Sequence, residues 1–270
     1  MLYGLIILAV LLFLTLPRYG KRHELQALRA YLIAHRGFHD ASAPENSMAA
    51  FARAVEAGYA IELDVHLSRD GEVVVFHDDT LTRMTRDERH LAQCTLEELK
   101  ALRLADSDER IPTLEEVLAL VKGHVPLLIE MKGESTATAL ASALVPILDA
   151  YDGPFAVQSF NPMLLSAMRK LRPEIVRGLL ATNYFRDPSV KVSFATKCAL
   201  EWKLTNFLAR PDFLSFNHAY PKNVSSWWLR KIYKMPAAAW TIRSEEEMHD
   251  AAKEYGGIIF EHFRPEESEH

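Results

Sequence analysis

From residue 31 to residue 260 the chain alternates short apolar runs with stretches of helical periodicity, and few folds accept that pattern. Candidate strands are 31–35, 60–65, 73–76, 125–131, 155–160, 175–180, 213–216, 237–242 and 257–260. Candidate helices begin near Ser47, Leu114, Thr136, Pro162, Val192, Val224 and Glu245. Several of the runs are almost continuously apolar, as strands are when helices cover both faces of a parallel sheet. Each strand–helix–strand step is right-handed by strong default. About eight such steps match the size of a TIM (β/α)8 barrel. A doubly wound open sheet is the alternative, but no glycine-rich dinucleotide fingerprint follows the first strand. Residues 79–112 form the longest excursion; they include a short helix over 96–102 and are expected to cap one end of the barrel.

The first sixteen residues, MLYGLIILAVLLFLTL, carry no charge, and residues 17–30 then hold Arg18, Lys21, Arg22 and Arg29 against Glu24. Sixteen helical residues reach about 24 Å, slightly short of the ~30 Å hydrocarbon core. Snorkelling cations and local thinning accommodate that deficit, so a transmembrane anchor over 1–16 and a basic juxtamembrane linker over 17–30 are expected. A signal peptide lacks support, because no basic residue precedes the apolar run and Leu14-Thr15-Leu16-Pro17 is not a small-x-small site. A buried core helix would show a polar face, and none is present. The basic collar follows the span, which places the body, residues 31–270, in the cytoplasm. Cys94 and Cys198 would stay reduced there. Two cysteines exclude a disulfide framework or a zinc ribbon. A net charge of −5 argues against nucleic acid as a partner. The oligomeric state is left open.

Costly polar groups gather where strands end. The first strand runs into His35-Arg36-Gly37, and the second reads Ile61-Glu62-Leu63-Asp64-Val65. Glu62 and Asp64 are two apart and share a face. Two carboxylates on one apolar strand repel each other and lose hydration, which a cation relieves. Glu130 and Lys132 repeat the spacing, the segment at 73–76 leads into His77, and another strand holds Trp240. Active sites of TIM barrels lie at these C-terminal strand ends. Glu62, Asp64 and Glu130 supply hard oxygen ligands suited to Mg²⁺ or Ca²⁺. Arg36 and Lys132 suit phosphate oxygens. His35 and His77 titrate near neutrality and are able to move protons. Together these groups fit the cleavage of a phosphoester.

The stretches IAHRG (33–37), PENS (44–47), FARAVEAGYAIELDVHLSRDGEVVVFHDDTLTRMT (51–85), IPTLEEVL (111–118), LLIEMK (127–132), VQSF (157–160) and AWTI (239–242) resemble the glycerophosphodiester phosphodiesterase family in order along the body. The resemblance implies a TIM barrel that hydrolyses glycerophosphodiesters to sn-glycerol 3-phosphate and an alcohol. It implies that His35 and His77 are the acid–base pair, that Glu62, Asp64 and Glu130 hold one divalent cation, and that Arg36 and Lys132 hold phosphate. It gives Glu45 a supporting role near the metal, places Asn46 at phosphate or metal, and makes Trp240 an aromatic wall beside the glycerol. Two departures sit on the rim: Arg243 stands where many relatives carry Asn, and the last strand runs into Phe260-Glu261-His262. These bear on the choice of substrate, for which lysophospholipids are the alternative to water-soluble diesters. A non-catalytic, membrane-tethered barrel with a phosphate-binding mouth is the reading from another class.

Overall fold

The computed structural model describes residues 2–18, 31–133 and 137–266. Its barrel strands are β1 (Leu32–Ala34), β2 (Ala60–Leu67), β4 (Leu127–Met131), β5 (Phe155–Ser159), β6 (Arg177–Ala181), β7 (Phe213–Asn217), β8 (Ala237–Ile242) and β9 (Gly257–Phe260). All are parallel to their neighbours, and β1 pairs with both β2 and β9, which closes the barrel. The TIM-barrel expectation therefore holds. The run at 73–76 is not a barrel stave: β3 (Val73–Val75) folds back antiparallel on β2, with Val65 opposite Val75.

Helices α2 (Met48–Glu56), α4 (Leu114–Val121), α5 (Ala137–Asp149), α6 (Pro162–Leu171), α7 (Phe194–Glu201), α8 (Val224–Trp227, continuing as a wider π-turn through Trp228–Ile232) and α9 (Glu245–Ala252) start where the sequence indicates. Side chains that accept first-turn amides account for these starts. Ser47, Asn161, Ser193, Asn223 and Ser244 act as N-caps, and Thr113 forms a capping box with Glu116. In the 79–112 excursion, α3 (Leu96–Ala101) begins with a second capping box, Thr95 with Glu98. That excursion builds its own small core from Phe76, Leu81, Leu91, Leu99, Leu104 and Ile111.

Inward-facing positions explain where the site lies. A separate apolar cluster of Ile33, Ala60, Leu128, Ala156, Phe213, Ala238 and Ile259 fills the barrel interior. Two residues further along the same strands, on the same face, stand His35, Glu62, Glu130, Gln158, Ser215 and Trp240. The barrel is thus plugged with carbon at its lower level and floored with polar groups above it.

The N-terminal segment departs from expectation. Helix α1 covers Leu2–Thr15, 14 residues. At 1.5 Å per residue it is about 21 Å long against a ~30 Å core. No helix among the described residues is long and apolar enough to cross a membrane. Helix α1 ends at Thr15 because Pro17 disfavours helical backbone at Leu16, and the following chain is bound to the barrel: Arg18 N donates to Pro211 O at 2.9 Å, and its guanidinium pairs with buried Asp212. Residues 19–30, most of the expected linker, lie outside the described residues.

Candidate active site

The C-terminal strand ends surround a cavity of about 530 Å³, lined by His35, Arg36, Glu45, Glu62, His77, Glu130, Lys132 and Trp240 among others. Eight of the ten residues singled out in the sequence thus line one cavity. Asp64 and Asn46 lie immediately behind it, buried, with Asn46 Nδ2 donating to Asp64 Oδ2 at 2.9 Å. None of the lining comes from residues 79–112, so the excursion does not roof the mouth. It acts from behind through Arg83, which donates to both Asp78 and Glu45.

The turn after β1 carries backbone strain at two residues that contact Glu62 and Asp64. Arg36 and Asn46 both occupy left-handed backbone, each with φ 55°. Such residues cost roughly 1–3 kcal/mol and persist where their surroundings hold them. Here Asn46 N donates to Arg36 O at 2.9 Å, and Arg36 N donates to Glu62 Oε2 at 3.1 Å. Gly37 follows at φ 83°, where an added Cβ would come 3.0 Å from the backbone of Ala50.

Glu62, Asp64 and Glu130 each offer an oxygen within 4.8 Å of the others. Burial, and then the charges of Asp64 and Glu130, push the Glu62 carboxyl well up. Burial also raises Glu130. Burial would raise Asp64 too, but Lys132, His77 and Arg36 hold it below the usual carboxylate range. Lys132 Nζ stands 2.6 Å from Glu130 Oε1 and 3.1 Å from Asp64 Oδ1. Lys132 thus pairs ionically with both carboxylates, and Asp64 Oδ1 has no other polar partner among the described residues. A buried hard-oxygen trio that one ammonium neutralises only in part fits a divalent cation.

Each histidine is held by a carboxylate at Nδ1. His35 Nδ1 lies 2.5 Å from Glu261 Oε2, and His77 Nδ1 lies 2.5 Å from Asp78 Oδ1. With Nδ1 engaged, Nε2 is the position free to exchange a proton in both rings. Burial lowers the affinity of His35 for a proton. Glu261 would be raised by burial, yet its contact with His35 and the charge of Arg243 hold it below the usual carboxylate range. Arg83 and Arg36 likewise bring half-buried Glu45 down to about 2.

Sequence reasoning gave no role to Glu261, Asp78, Arg83, Gln158 or Ser215. Ser215 Oγ donates to Gln158 Oε1 at 2.8 Å, and Gln158 Nε2 reaches Glu62 Oε1 at 3.4 Å, so a polar chain runs along the floor to the trio. The same-face spacing that revealed Glu62 applies equally to Gln158 and Ser215. Trp240 packs edge-on against Phe160 at 5.5 Å, and its Nε1 is buried with no hydrogen-bond partner.

A parallel barrel with an acidic trio and two carboxylate-held histidines at its mouth defines a hydrolase-type site for phosphoesters. Residues 35–256 match the glycerophosphoryl diester phosphodiesterase family, and the chain belongs to that family. It is 36% identical over 165 residues to a glycerophosphodiester phosphodiesterase of Caldanaerobacter subterraneus, covering 57% of this chain and 67% of that protein. It is 30% identical over 254 residues to glycerophosphodiester phosphodiesterase 1 of Bos taurus, covering 81% and 73%. Among solved structures, an Oleispira antarctica phosphodiesterase in complex with the product sn-glycerol-3-phosphate superposes with a TM-score of 0.70 at 27% identity, covering 85% of this chain and 92% of its own.

Proposed function

We propose that this chain hydrolyses glycerophosphodiesters to sn-glycerol 3-phosphate and an alcohol, with one divalent cation, Mg²⁺ or Ca²⁺, held by Glu62, Asp64 and Glu130. The observation that carries the reading is the pair of histidines, each fixed at Nδ1 by its own carboxylate, on the rim of one cavity with the acidic trio. A phosphate-binding shell needs positive charge but no such paired proton carriers, which disfavours the non-catalytic alternative. The cation, when bound, neutralises charge on the phosphate oxygens.

Arg36 and Lys132 add to that positive field beside the trio. One imidazole takes the proton of the attacking glycerol 2-hydroxyl through Nε2 while the other protonates the departing alcohol oxygen, and water then opens the cyclic phosphate so formed, with the two roles exchanged, to give glycerol 3-phosphate. The rings of Trp240 and Phe160 form the apolar wall of the cavity. Asn46 holds Asp64, and Glu45 holds Arg36. The positive bias of residues 17–30 supports a location at the surface of a membrane that carries anionic lipid.

The test is release of glycerol 3-phosphate from a head-group panel of soluble diesters, with lysophospholipids assayed beside them, before and after chelation. Soluble diesters are expected to turn over, chelation to stop them, and a divalent cation to restore them. Turnover of lysophospholipids alone would move the reading to lysophospholipase D, and no turnover of any diester would overturn it.

A further inference from the structure

Helix α8 has its amphipathicity inverted. Ser225, Ser226 and Leu229 face the barrel, while Val224 (64% exposed), Trp227 (47%), Trp228 (36%) and Ile232 (49%) form the outward stripe at i, i+3, i+4 and i+8 spacing. A water-facing helix carries polar residues there. Trp202, 52% exposed, extends the patch from the end of α7. Helix α1 lies alongside. Its Leu8, Leu11 and Leu12 and the barrel's Trp202, Val224 and Trp228 line an almost wholly apolar cleft of about 390 Å³.

Helix α1 is apolar on every side: it has no charged residue, none of its residues is buried, and Leu2, Leu5, Ile6, Ile7, Val10 and Phe13 are all exposed. A protein partner covers one stripe of a helix, whereas hydrocarbon solvates all of it. Polar bonds bind its C-terminal end to the barrel. Thr15 Oγ1 lies 3.0 Å from Tyr233 OH, Asn206 Nδ2 donates to Thr15 O at 3.2 Å, and Arg210 donates to Leu16 O at 3.0 Å. The Arg18–Asp212 pair completes the attachment. If α1 enters lipid, the barrel wall beside it must follow, because no slack separates them.

The charge agrees with a lipid surface. Residues 213–242 contain Lys222, Arg230, Lys231 and Lys234 and no Asp or Glu. Arg230 and Lys231 pair with Glu254, whereas Lys222 and Lys234 are exposed and pair with no carboxylate among the described residues. Tryptophan favours the membrane–water boundary, where its ring is buried and its N–H stays wet.

We propose that α1, Trp202 and the outward stripe of α8 form one bilayer-docking surface, which embeds in a single leaflet without crossing and takes anionic headgroups at Lys222 and Lys234. The inference rests on the membrane location proposed above and is independent of the reaction.

The test uses the full chain, purified in detergent and mixed with phosphatidylcholine vesicles with and without phosphatidylglycerol. Flotation is expected to rise with the anionic lipid. Brominated acyl chains are expected to quench Trp202, Trp227 and Trp228, read from variants that each retain one tryptophan, and to spare Trp240 in the catalytic mouth. A Val224→Glu/Trp227→Glu/Ile232→Glu variant is expected to partition at least about tenfold more weakly, with soluble-diester turnover unchanged as proof of folding. The matching triple alanine variant should show a smaller loss in the same direction.

Failure of the wild-type chain to float would overturn the membrane location itself. Equal flotation of the folded glutamate variant, or absent quenching of the three wall tryptophans on floating vesicles, would overturn the surface alone. A dimer in light scattering that the glutamate variant breaks, without flotation, would assign the patch to a second copy of this chain and overturn the proposal.

Discussion

Glu261 Oε2 lies 2.5 Å from His35 Nδ1, and Arg243 Nη2 lies 2.6 Å from the other oxygen of the same carboxylate. The carboxylate at the end of β9 therefore orients the imidazole that follows β1, and a cation on the rim orients the carboxylate. Glu261→Ala should lower kcat by about 10²-fold, the lower range for an acid–base group, because the ring loses its fixed Nδ1 contact. KM should change little, since Glu261 is not placed on the substrate. Glu261→Gln, which still accepts a hydrogen bond, should recover part of kcat. Steady-state kinetics on a soluble diester decide this, and an unchanged kcat in the alanine variant would remove Glu261 from the machinery.

The acidic trio should reveal itself in stability as well as rate. Glu62 is buried against two like charges, so Glu62→Gln should leave the metal-free barrel as stable or more stable. A ligand that binds the folded state at 100 times its Kd adds about 2.7 kcal/mol. Mg²⁺ or Ca²⁺ should therefore raise the Tm of the chelator-treated wild type and leave Glu62→Gln and Asp64→Asn unmoved. A full metal-induced shift in both variants would show that the cation binds elsewhere.

Lys203 offers a check on burial outside the site. Its ammonium donates to Glu201 O at 3.0 Å and lies 5.2 Å from the Tyr184 ring centroid, inside the wall beneath α1. Burial brings its pKa from 10.5 down to about 8, against the opposing pull of Glu201. The folded pKa is lower than the unfolded one, so the unfolded chain binds more protons between the two. Stability contributed at this position is thus lowest below about pH 8 and rises until about pH 10.5. Lys203→Met should stabilise the protein at pH 7 by about 1–3 kcal/mol, with the gain shrinking across that window. Urea denaturation from pH 7 to pH 10 measures it; a gain that does not change with pH would contradict the assignment.

The barrel was legible because its strands are buried on both faces and therefore read as unbroken apolar runs. The trio was legible because period-two spacing puts Glu62 and Asp64 on one face with nothing apolar to justify them. The carboxylates behind the histidines were not equally accessible. Asp78 adjoins His77 in sequence, but Glu261 is 226 residues from His35, and only closure of the barrel through β1 and β9 brings them together. The antiparallel turn of β3 had a signal that went unused: Asp70-Gly71 between two apolar runs marks a hairpin. For α1, Pro17 marks where the helix stops, whereas the bonds that hold its end to the barrel were hidden, because Arg18 finds its partner, Asp212, far along the chain.

The two histidines should separate by leaving group. His35 and His77 come from different elements, and each has Nδ1 occupied, so each is left one nitrogen with which to exchange a proton. His35→Ala and His77→Ala should each lower turnover of natural diesters by at least about 10²-fold. The double variant should lose less than the product of the single effects, because the two proton transfers belong to one coupled displacement. A nitrophenyl diester departs as a stable phenolate and needs no protonation. It should restore turnover only in the variant that lost the acid, and the variant that stays slow on both substrates has lost the base. Rescue of His77→Ala would make His77 the acid and His35 the base. Rescue of His35→Ala in place of His77→Ala would reverse the roles, and near-normal turnover of natural diesters by both variants would remove the histidines from the proton transfers altogether.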